Sequence, residues 1–281
     1  MPVVVSHASG PLGDALIPVL LERGSEVRAI VRDRGAAERA RRLGAKVTAR
    51  GLDDADAIRT AVRDAHTVIH TADFLFPPDE LIEAWNLGWT ERLVDACDGT
   101  RVARFLLLSS VGADPAAANA YRRAKGRAEA VVRACGIEHA VLRTTHRYGP
   151  GFGGLGELAL RWLWWTVVPG DGRQRLAPVA VADVAAALAA ADDRAEPVEG
   201  TFALGGPDVV TADEVAALAE PRRPRLHAAP GSWLARRLPV RATALEVLAA
   251  DSLPDAPDAA TEFGIAPVPL GAGSPRSGDG R

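Results

Sequence analysis

Val3-Val4-Val5-Ser6-His7-Ala8-Ser9-Gly10-Pro11-Leu12-Gly13 opens the chain, and the order of these residue types decides the fold. A β-branched apolar run passes into a glycine-spaced turn and then a helical pattern reaching Arg23. A second apolar run follows, Val27-Arg28-Ala29-Ile30-Val31-Arg32. Strand, tight turn, helix and strand in this order form a unit whose helix N-terminus offers free backbone N–H groups to a pyrophosphate. Gly10 and Gly13 suit close approach of backbone to phosphate and of helix to strand, with Ser6, Ser9, Pro11 and Leu12 completing the loop. His7 stands where such loops usually carry their first glycine. Histidine tolerates unusual backbone angles better than most side chains, yet it adds bulk beside the ligand.

Outward from this stretch, short apolar runs alternate with longer helical patterns. The strands predicted are Val3–Val5, Val27–Val31, Lys46–Ala49, Thr67–His70, Arg104–Ser109 and His139–Leu142, with helical stretches near 12–23, 35–43, 54–64, 79–98 and 118–135. Alternation of this kind predicts an α/β fold, a doubly wound parallel sheet with helices on both faces. The runs are almost continuously apolar, as strands covered on both faces should be. After residue 145 the texture changes. Tyr148-Gly149-Pro150-Gly151 marks a loop, Gly156 to Trp165 reads as a Trp-rich helix, and Asp183–Ala191 and Ala212–Ala219 as further helices. The expected organisation is a nucleotide-binding domain over 1–145 and a small substrate lobe over 146–270, intertwined with the first. A Gly/Ser/Pro-rich tail over 271–281 is expected to be disordered.

Composition narrows the partners. A net charge of -3 gives no reason to expect nucleic acid or an anionic membrane. No apolar run has the length of a membrane span, and the N-terminus lacks the pattern of a signal peptide. Cys97 and Cys135 have no CxxC spacing and read as reduced thiols, so a cytoplasmic location is expected. His66, His70, His139, His146 and His227 lack metal-ligand spacing, and no metal is expected.

The chemistry concentrates in two places. Arg32 ends the second strand, where an acidic residue would suit an NAD ribose and an arginine the 2′-phosphate of NADP; NADP is favoured. Tyr121-Arg122-Arg123-Ala124-Lys125 puts a phenol and an ammonium on one helix face. An ammonium there is expected to lower the tyrosine pKa and make Tyr121 a proton donor or acceptor at a carbonyl or alcohol oxygen. Only two tyrosines are present, Tyr121 and Tyr148, and the only lysines are Lys46 and Lys125, so a chance Y-x-x-x-K arises at roughly the one or two per cent level. Ser109 and Ser110 end the apolar run Phe105–Leu108, and Ser110 is the hydroxyl expected to stabilise charge on a substrate oxygen.

These landmarks resemble the short-chain dehydrogenase/reductase superfamily, most closely its atypical NmrA-like branch and the neighbouring NAD-dependent epimerase/dehydratase group. The resemblance covers about residues 2–219. It also draws on Val68-Ile69-His70-Thr71-Ala72, Asn86-Leu87-Gly88-Trp89-Thr90, Leu142-Arg143, Gly170-Asp171-Gly172-Arg173 and Leu204-Gly205-Gly206-Pro207. It implies a Rossmann fold with Ser110, Tyr121 and Lys125 as the catalytic trio. Thr71 and Ala72 would lie along the cofactor, Asn86 would support Lys125 through water, and Lys125 would also grip the nicotinamide ribose. Ser109, Arg143 and Thr144 would adjoin the cofactor too. Leu52 replaces an aspartate that usually contacts adenine, with Asp53 as its substitute. Asp73, Thr145, Tyr148, Trp162 and Trp165 are the substrate-side candidates. The activity implied is NADP-dependent reduction of a carbonyl or enone on a small hydrophobic or aromatic substrate, by a monomer or a homodimer formed through Glu80–Cys97. The alternatives are epimerase or dehydratase chemistry, a non-catalytic NAD(P)-sensing regulator, and a pocket turned to other chemistry such as a cyclisation.

Overall fold

The computed structural model describes residues 1–150, 160–162, 164–238 and 240–270. The tail over 271–281 lies outside these residues.

Seven parallel strands form the central sheet. In chain order the first six are β1 (Pro2–Ser6), β2 (Glu26–Val31), β3 (Lys46–Arg50), β4 (Thr67–His70), β5 (Arg104–Ser110) and β6 (Glu138–Thr144). Helices α1 (Pro11–Glu22), α2 (Arg34–Arg42), α3 (Ala55–Val62), α4 (Asp79–Glu83), α5 (Trp89–Cys97) and α6 (Ala120–Arg133) connect them. The chain continues through β7 (Arg147–Tyr148), β8 (Leu160–Trp162), β9 (Trp165–Pro169), β10 (Arg175–Leu176) and β11 (Val179–Ala180). Then come α7 (Val181–Asp192), β12 (Gly200–Leu204), β13 (Val210–Thr211), α8 (Ala212–Ala219), β14 (Arg225–Ala228), α9 (Ala242–Leu248) and α10 (Ala259–Phe263). The sheet order is β3-β2-β1-β4-β5-β6-β12. The winding reverses between β1 and β4, which opens a crevice beyond their carboxyl ends.

Both faces of the sheet are covered, which is why its strands lack polar alternation. On one face Val3, Val5, Leu106 and Leu108 pack with Leu16, Ile17 and Leu20 of α1 and Val184 and Leu188 of α7. On the other, Val4, Val68, Phe105 and Leu107 pack with Ile58 of α3, Leu93 of α5 and Val132 of α6. Thus α7 and β12, from beyond residue 145, complete the layers built by the first 145 residues.

Two expectations need correction. Of the stretch 156–165 read as a Trp-rich helix, residues 156–159 and 163 lie outside the described residues, and Leu160–Trp162 is a strand pairing antiparallel with Trp165–Pro169, which runs parallel to Arg225–Ala228. The β-branched run Thr166-Val167-Val168 suits a pleated, half-buried surface better than a helix. The stretch near 79–98 is not one helix either, because Ala84–Gly88 forms a π-helical turn between α4 and α5. Such turns are frequent where a helix carries a functional residue, and this one carries Asn86.

Candidate active site

The turn after β1 has the backbone of a phosphate loop. His7 takes φ +52°, the one positive φ among the described non-glycine residues. Its backbone therefore does what a glycine at that position would do. Its ring packs edge-on to Phe74, 4.5 Å between centroids, and lies 6.1 Å from Trp89; Trp85 stacks on Trp89 at 5.7 Å. Burial, helped by the Arg32 charge, pushes the His7 pKa down to about 4, so the ring is neutral at pH 7. A Cβ on Gly13 would sit 2.6 Å from the carbonyl carbon of Ala8, whereas one on Gly10 would meet nothing within 4 Å. Gly13 therefore lets α1 close onto the strand, and Gly10 leaves room above the loop. Pro11 begins α1, and no side chain caps its N-terminus, which leaves the first N–H groups for an anion. This loop fits a dinucleotide pyrophosphate.

The hydroxyls around the loop are structural. Ser6 Oγ hydrogen-bonds His70 Nδ1. Thr71 Oγ1 donates to the Ser6 carbonyl at 2.7 Å, and Ser9 Oγ accepts from the Arg32 amide at 2.9 Å. These bonds hold the ends of β1, β2 and β4 in register. Arg32 itself is exposed, and it lines a narrow hollow with His7, Ile30, Val31, Gly51, Leu52 and Trp89. Arg28 pairs with Glu26 and Arg34 with Glu38, while Arg32 has no acidic partner among the described residues. Asp53 does not enter this hollow: its carboxylate is 80% exposed and bound to Arg92 at 2.5 Å. The buried Leu52 lines the hollow instead.

At the carboxyl ends of β4 and β5 the structure brings Tyr121 and Lys125 together around Asp73. Tyr121 Oη donates to Asp73 Oδ1 at 2.5 Å, and Lys125 Nζ lies 3.7 Å from the same oxygen. Arg147 binds Oδ2. Lys125 is 1% exposed, and donates to the carbonyls of Ala72 at 3.0 Å and Leu108 at 2.8 Å. Ser110, whose hydroxyl lies 3.4 Å from the Val111 carbonyl, is near enough to the phenol to lower its pKa, a smaller effect than burial and Asp73. Burial pushes Asp73 up, but Arg147 and then Lys125 outweigh it, and the carboxyl is held below its usual range. The expected lowering of the Tyr121 pKa is reversed: burial first, and then the Asp73 charge, raise it well above the usual value. The ammonium that was to favour the phenolate is answered by a carboxylate lying between them.

Other candidates are placed elsewhere. Asn86 clamps Phe74, accepting from its amide at 3.0 Å and donating to its carbonyl at 2.9 Å; no direct contact to Lys125 is made. Ser109 and Arg143 face Glu129, a carboxylate 1% exposed on α6: Ser109 Oγ donates at 2.6 Å and Arg143 at 2.8 Å. Thr144 and Thr145 are buried, and Thr145 Oγ1 donates to the Ala177 carbonyl at 2.6 Å. Tyr148 is fully buried, its hydroxyl 3.4 Å from the Pro269 carbonyl under the C-terminal segment. Trp165 is half-buried in β9, and the side chain of Trp162 lies outside the described residues. Sequence reasoning missed Arg147, His146 and Arg122. One signal was available: an aspartate just past a buried strand end needs a cation, and only the chain's arginines were plentiful enough to supply it.

Comparison with known proteins fits this geometry. The family described as NAD(P)H-binding matches residues 8–194, more than half of the chain. The Arabidopsis thaliana protein NADH dehydrogenase (ubiquinone) 1 alpha subcomplex subunit 9, mitochondrial, is 30% identical over 230 residues, which are 75% of this chain and 55% of that protein. The chain thus spans about half the length of this curated relative. Among solved structures, MoeE5 in complex with UDP-glucose and NAD superposes with a TM-score of 0.70 at 23% identity, covering 96% of this chain and 94% of that one. The UDP-glucuronic acid 4-epimerase of Bacillus cereus, with UDP-glucuronic acid and NAD, gives 0.70 at 18% identity, covering 97% and 96%. Both likenesses speak to the fold, and the fold carries the loop, the switch point and the helix N-terminus that the family match requires. The chain belongs to the NAD(P)H-binding family.

Proposed function

We propose that the protein is an NADP-dependent oxidoreductase that reduces the carbonyl or enone of a small organic substrate. One observation carries the reading: Tyr121 is kept as a phenol beside Ser110, at the strand ends that face the phosphate loop. A reduction needs a proton donor at the substrate oxygen, and a phenol with a raised pKa is in the donating form at every physiological pH. Epimerisation instead begins with removal of a proton from an alcohol, which needs the phenolate that Asp73 disfavours.

When bound, the cofactor supplies a hydride. The chain's own residues do the rest. Gly10, Gly13 and the α1 N-terminus receive the pyrophosphate. Arg32, free of an acidic partner among the described residues, is suited to the 2′-phosphate and so to NADP over NAD. Ser110 and Tyr121 donate to the substrate oxygen, and the Tyr121 proton passes to it. Asp73 accepts the phenol hydrogen bond and holds Tyr121 in place, and the Lys125 ammonium beside Asp73 offsets the negative charge at this end of the site.

A second reading has one observation in its favour. Tyr121 gives its hydrogen bond to Asp73, so a protein that only holds the cofactor could keep this arrangement unchanged. Titration of fluorescence with NADPH and NADH, followed by turnover of acetophenone and benzylideneacetone, separates the two. NADPH should bind at least tenfold more tightly than NADH, with the difference lost in Arg32→Ala. Tyr121→Phe should bind NADPH as the parent does and lose about 100-fold or more in kcat. Binding of neither nucleotide at near-millimolar concentration would sink the reading, and undiminished turnover by Tyr121→Phe would sink the mechanism.

A further inference from the structure

Next to the Asp73 cluster lie two buried polar atoms that nothing described satisfies. Arg122 Nε and His146 Nε2 are both shut off from solvent without a hydrogen-bond partner among the described residues. Buried polar atoms are almost always paired, and an unpaired one marks a place where a ligand or water is due. The two belong to one region, because His146 lies within electrostatic reach of Arg122, Arg147 and Asp73. Arg122 is held there by its surroundings. Its guanidinium lies across Gly112, where a Cβ would come within 3.2 Å of Nε, and the φ of +75° at that glycine makes the close approach possible. Arg122 also lines a cavity of about 420 Å³ with Ala117, Ala118, Asn119 and Glu246.

Charged groups surround this region. Arg122, Lys125 and Arg147 are three cations, and Asp73 is the carboxylate between the last two. The other acids nearby are engaged. Asp255 accepts from the Gly112 amide at 2.7 Å and from Arg143 at 3.1 Å, and Glu246 accepts from Asn119 at 2.8 Å. Neither forms an ion pair with Arg122 among the described residues. His146 adds no charge: burial, with Arg147 and Arg122, pushes its pKa down to about 4. The Nε of Arg122 is shut off from solvent while the rest of this half-buried side chain lines the cavity, so an anion in the cavity can pair with its planar fork.

We infer that the substrate carries an anionic group, a carboxylate or a phosphate, which pairs with Arg122 beside His146 while the reacting oxygen lies at Tyr121. The inference rests on the proposed reduction only in taking Tyr121 as the reacting end; the anion site itself stands on Arg122 and His146. Tyr121 and Arg122 are neighbours on α6, and His146 and Arg147 are neighbours after β6. The two ends of such a substrate would therefore be read by adjacent residues of the same two elements. An oxo acid or an oxo phosphate with an apolar body fits this description, and a neutral ketone would leave Arg122 unanswered.

The test uses the full chain with and without saturating NADP, and three probes that cannot react: benzoate, phenyl phosphate and benzamide. Binding is read by ligand-observed NMR. Benzoate or phenyl phosphate should bind saturably and at least tenfold more tightly than benzamide, and the tighter of the two identifies the anionic group. Arg122→Ala should lose that preference at least tenfold while benzamide is unaffected, and Arg122→Lys should restore part of it. Circular dichroism of both variants, together with their NADPH binding, confirms that they are folded. Equal binding of the three probes, or anion binding unchanged in Arg122→Ala, overturns the inference. Failure of NADPH to bind while the anion preference persists overturns the proposed function and leaves the anion site standing, so the two failures are distinguishable.

Discussion

Asp73 controls the chemistry available to Tyr121. Its charge lies on the phenol and raises the energy of the phenolate. Asp73→Asn should therefore lower the Tyr121 pKa, and the alkaline limb of the pH–rate profile should move to lower pH. The same change leaves the buried Lys125 and Arg147 charges without their carboxylate, so chemical denaturation should show a loss of about 3–5 kcal/mol. An unchanged profile in a stable variant would show that Asp73 is not the group that sets the phenol. His7 makes an opposite kind of statement, since its backbone angle favours glycine and its ring favours histidine. Alanine keeps the strained angle, which costs about 1–2 kcal/mol, and loses the contacts with Phe74 and Trp89. Glycine loses the contacts and relieves the strain. His7→Ala should thus be the less stable of the two by about 1 kcal/mol, the reverse of the usual order, and His7→Gly should bind NADPH more tightly because bulk is removed above the phosphates.

At the scale of elements, α6 is the part that must be placed correctly, for it carries Tyr121, Arg122, Lys125 and Glu129. Gly126 sets its distance from the loop after β5. A Cβ there would lie 2.3 Å from the backbone of Asp114 and Pro115, and backbone cannot rotate away. Gly126→Ala should lower stability by about 1–3 kcal/mol despite the better helix propensity of alanine, and should cut turnover by moving the phenol. Urea denaturation and single-turnover rates measure the two effects separately. Much of this scaffold is legible in the sequence. Strands β1, β2, β4, β5 and β6 are nearly continuous apolar runs because both faces are covered, and Tyr121 and Lys125 show themselves by their four-residue spacing. Of the later strands only a short one at Val179–Val181 is legible, seen as β11; β7 to β14 are two to five residues long, and apart from β8 with β9 their partners lie far along the chain. The site is split in the same way. Arg147 reaches Asp73 across 74 residues, and local spacing carries no information about that pairing. The burial and the Asp73 charge that raise the Tyr121 pKa are likewise absent from the four-residue spacing.

Across the whole molecule, burial holds three histidines neutral. Burial pushes His70 down to about 3, and both His7 and His146 down to about 4. His70 also bridges the two halves of the switch point. Thr90 gives its proton to the Asn86 carbonyl at 2.8 Å, so His70 Nε2 donates to Thr90 Oγ1 at 3.1 Å, and Nδ1 is left to accept from Ser6. Protonating Nδ1 would reverse the Ser6 bond, which the hydroxyl can accept, but would bury a positive charge between β1, β4 and α5. For each histidine the folded pKa lies below the unfolded value near 6.5, so below that pH the unfolded chain binds more protons than the folded one. The stability these groups contribute is therefore present above pH 6.5 and is lost as pH falls from there toward their folded values. Between pH 6.5 and 5 the loss is roughly 2 kcal/mol for each fully depressed histidine, at about 1.4 kcal/mol per pH unit. The depressed carboxylates, Asp73 and Glu129, act in a lower window, beginning near their unfolded values around 4. The two contributions separate on the pH axis. Thermal melts taken from pH 7.5 to 5 should thus show a steadily falling Tm before Asp73 and Glu129 titrate, with the slope reduced in His146→Gln, which removes one titrating ring. A Tm flat down to pH 5 would mean that these rings accept protons in the folded state, and that neither the loop at His7 nor the link through His70 depends on their neutrality.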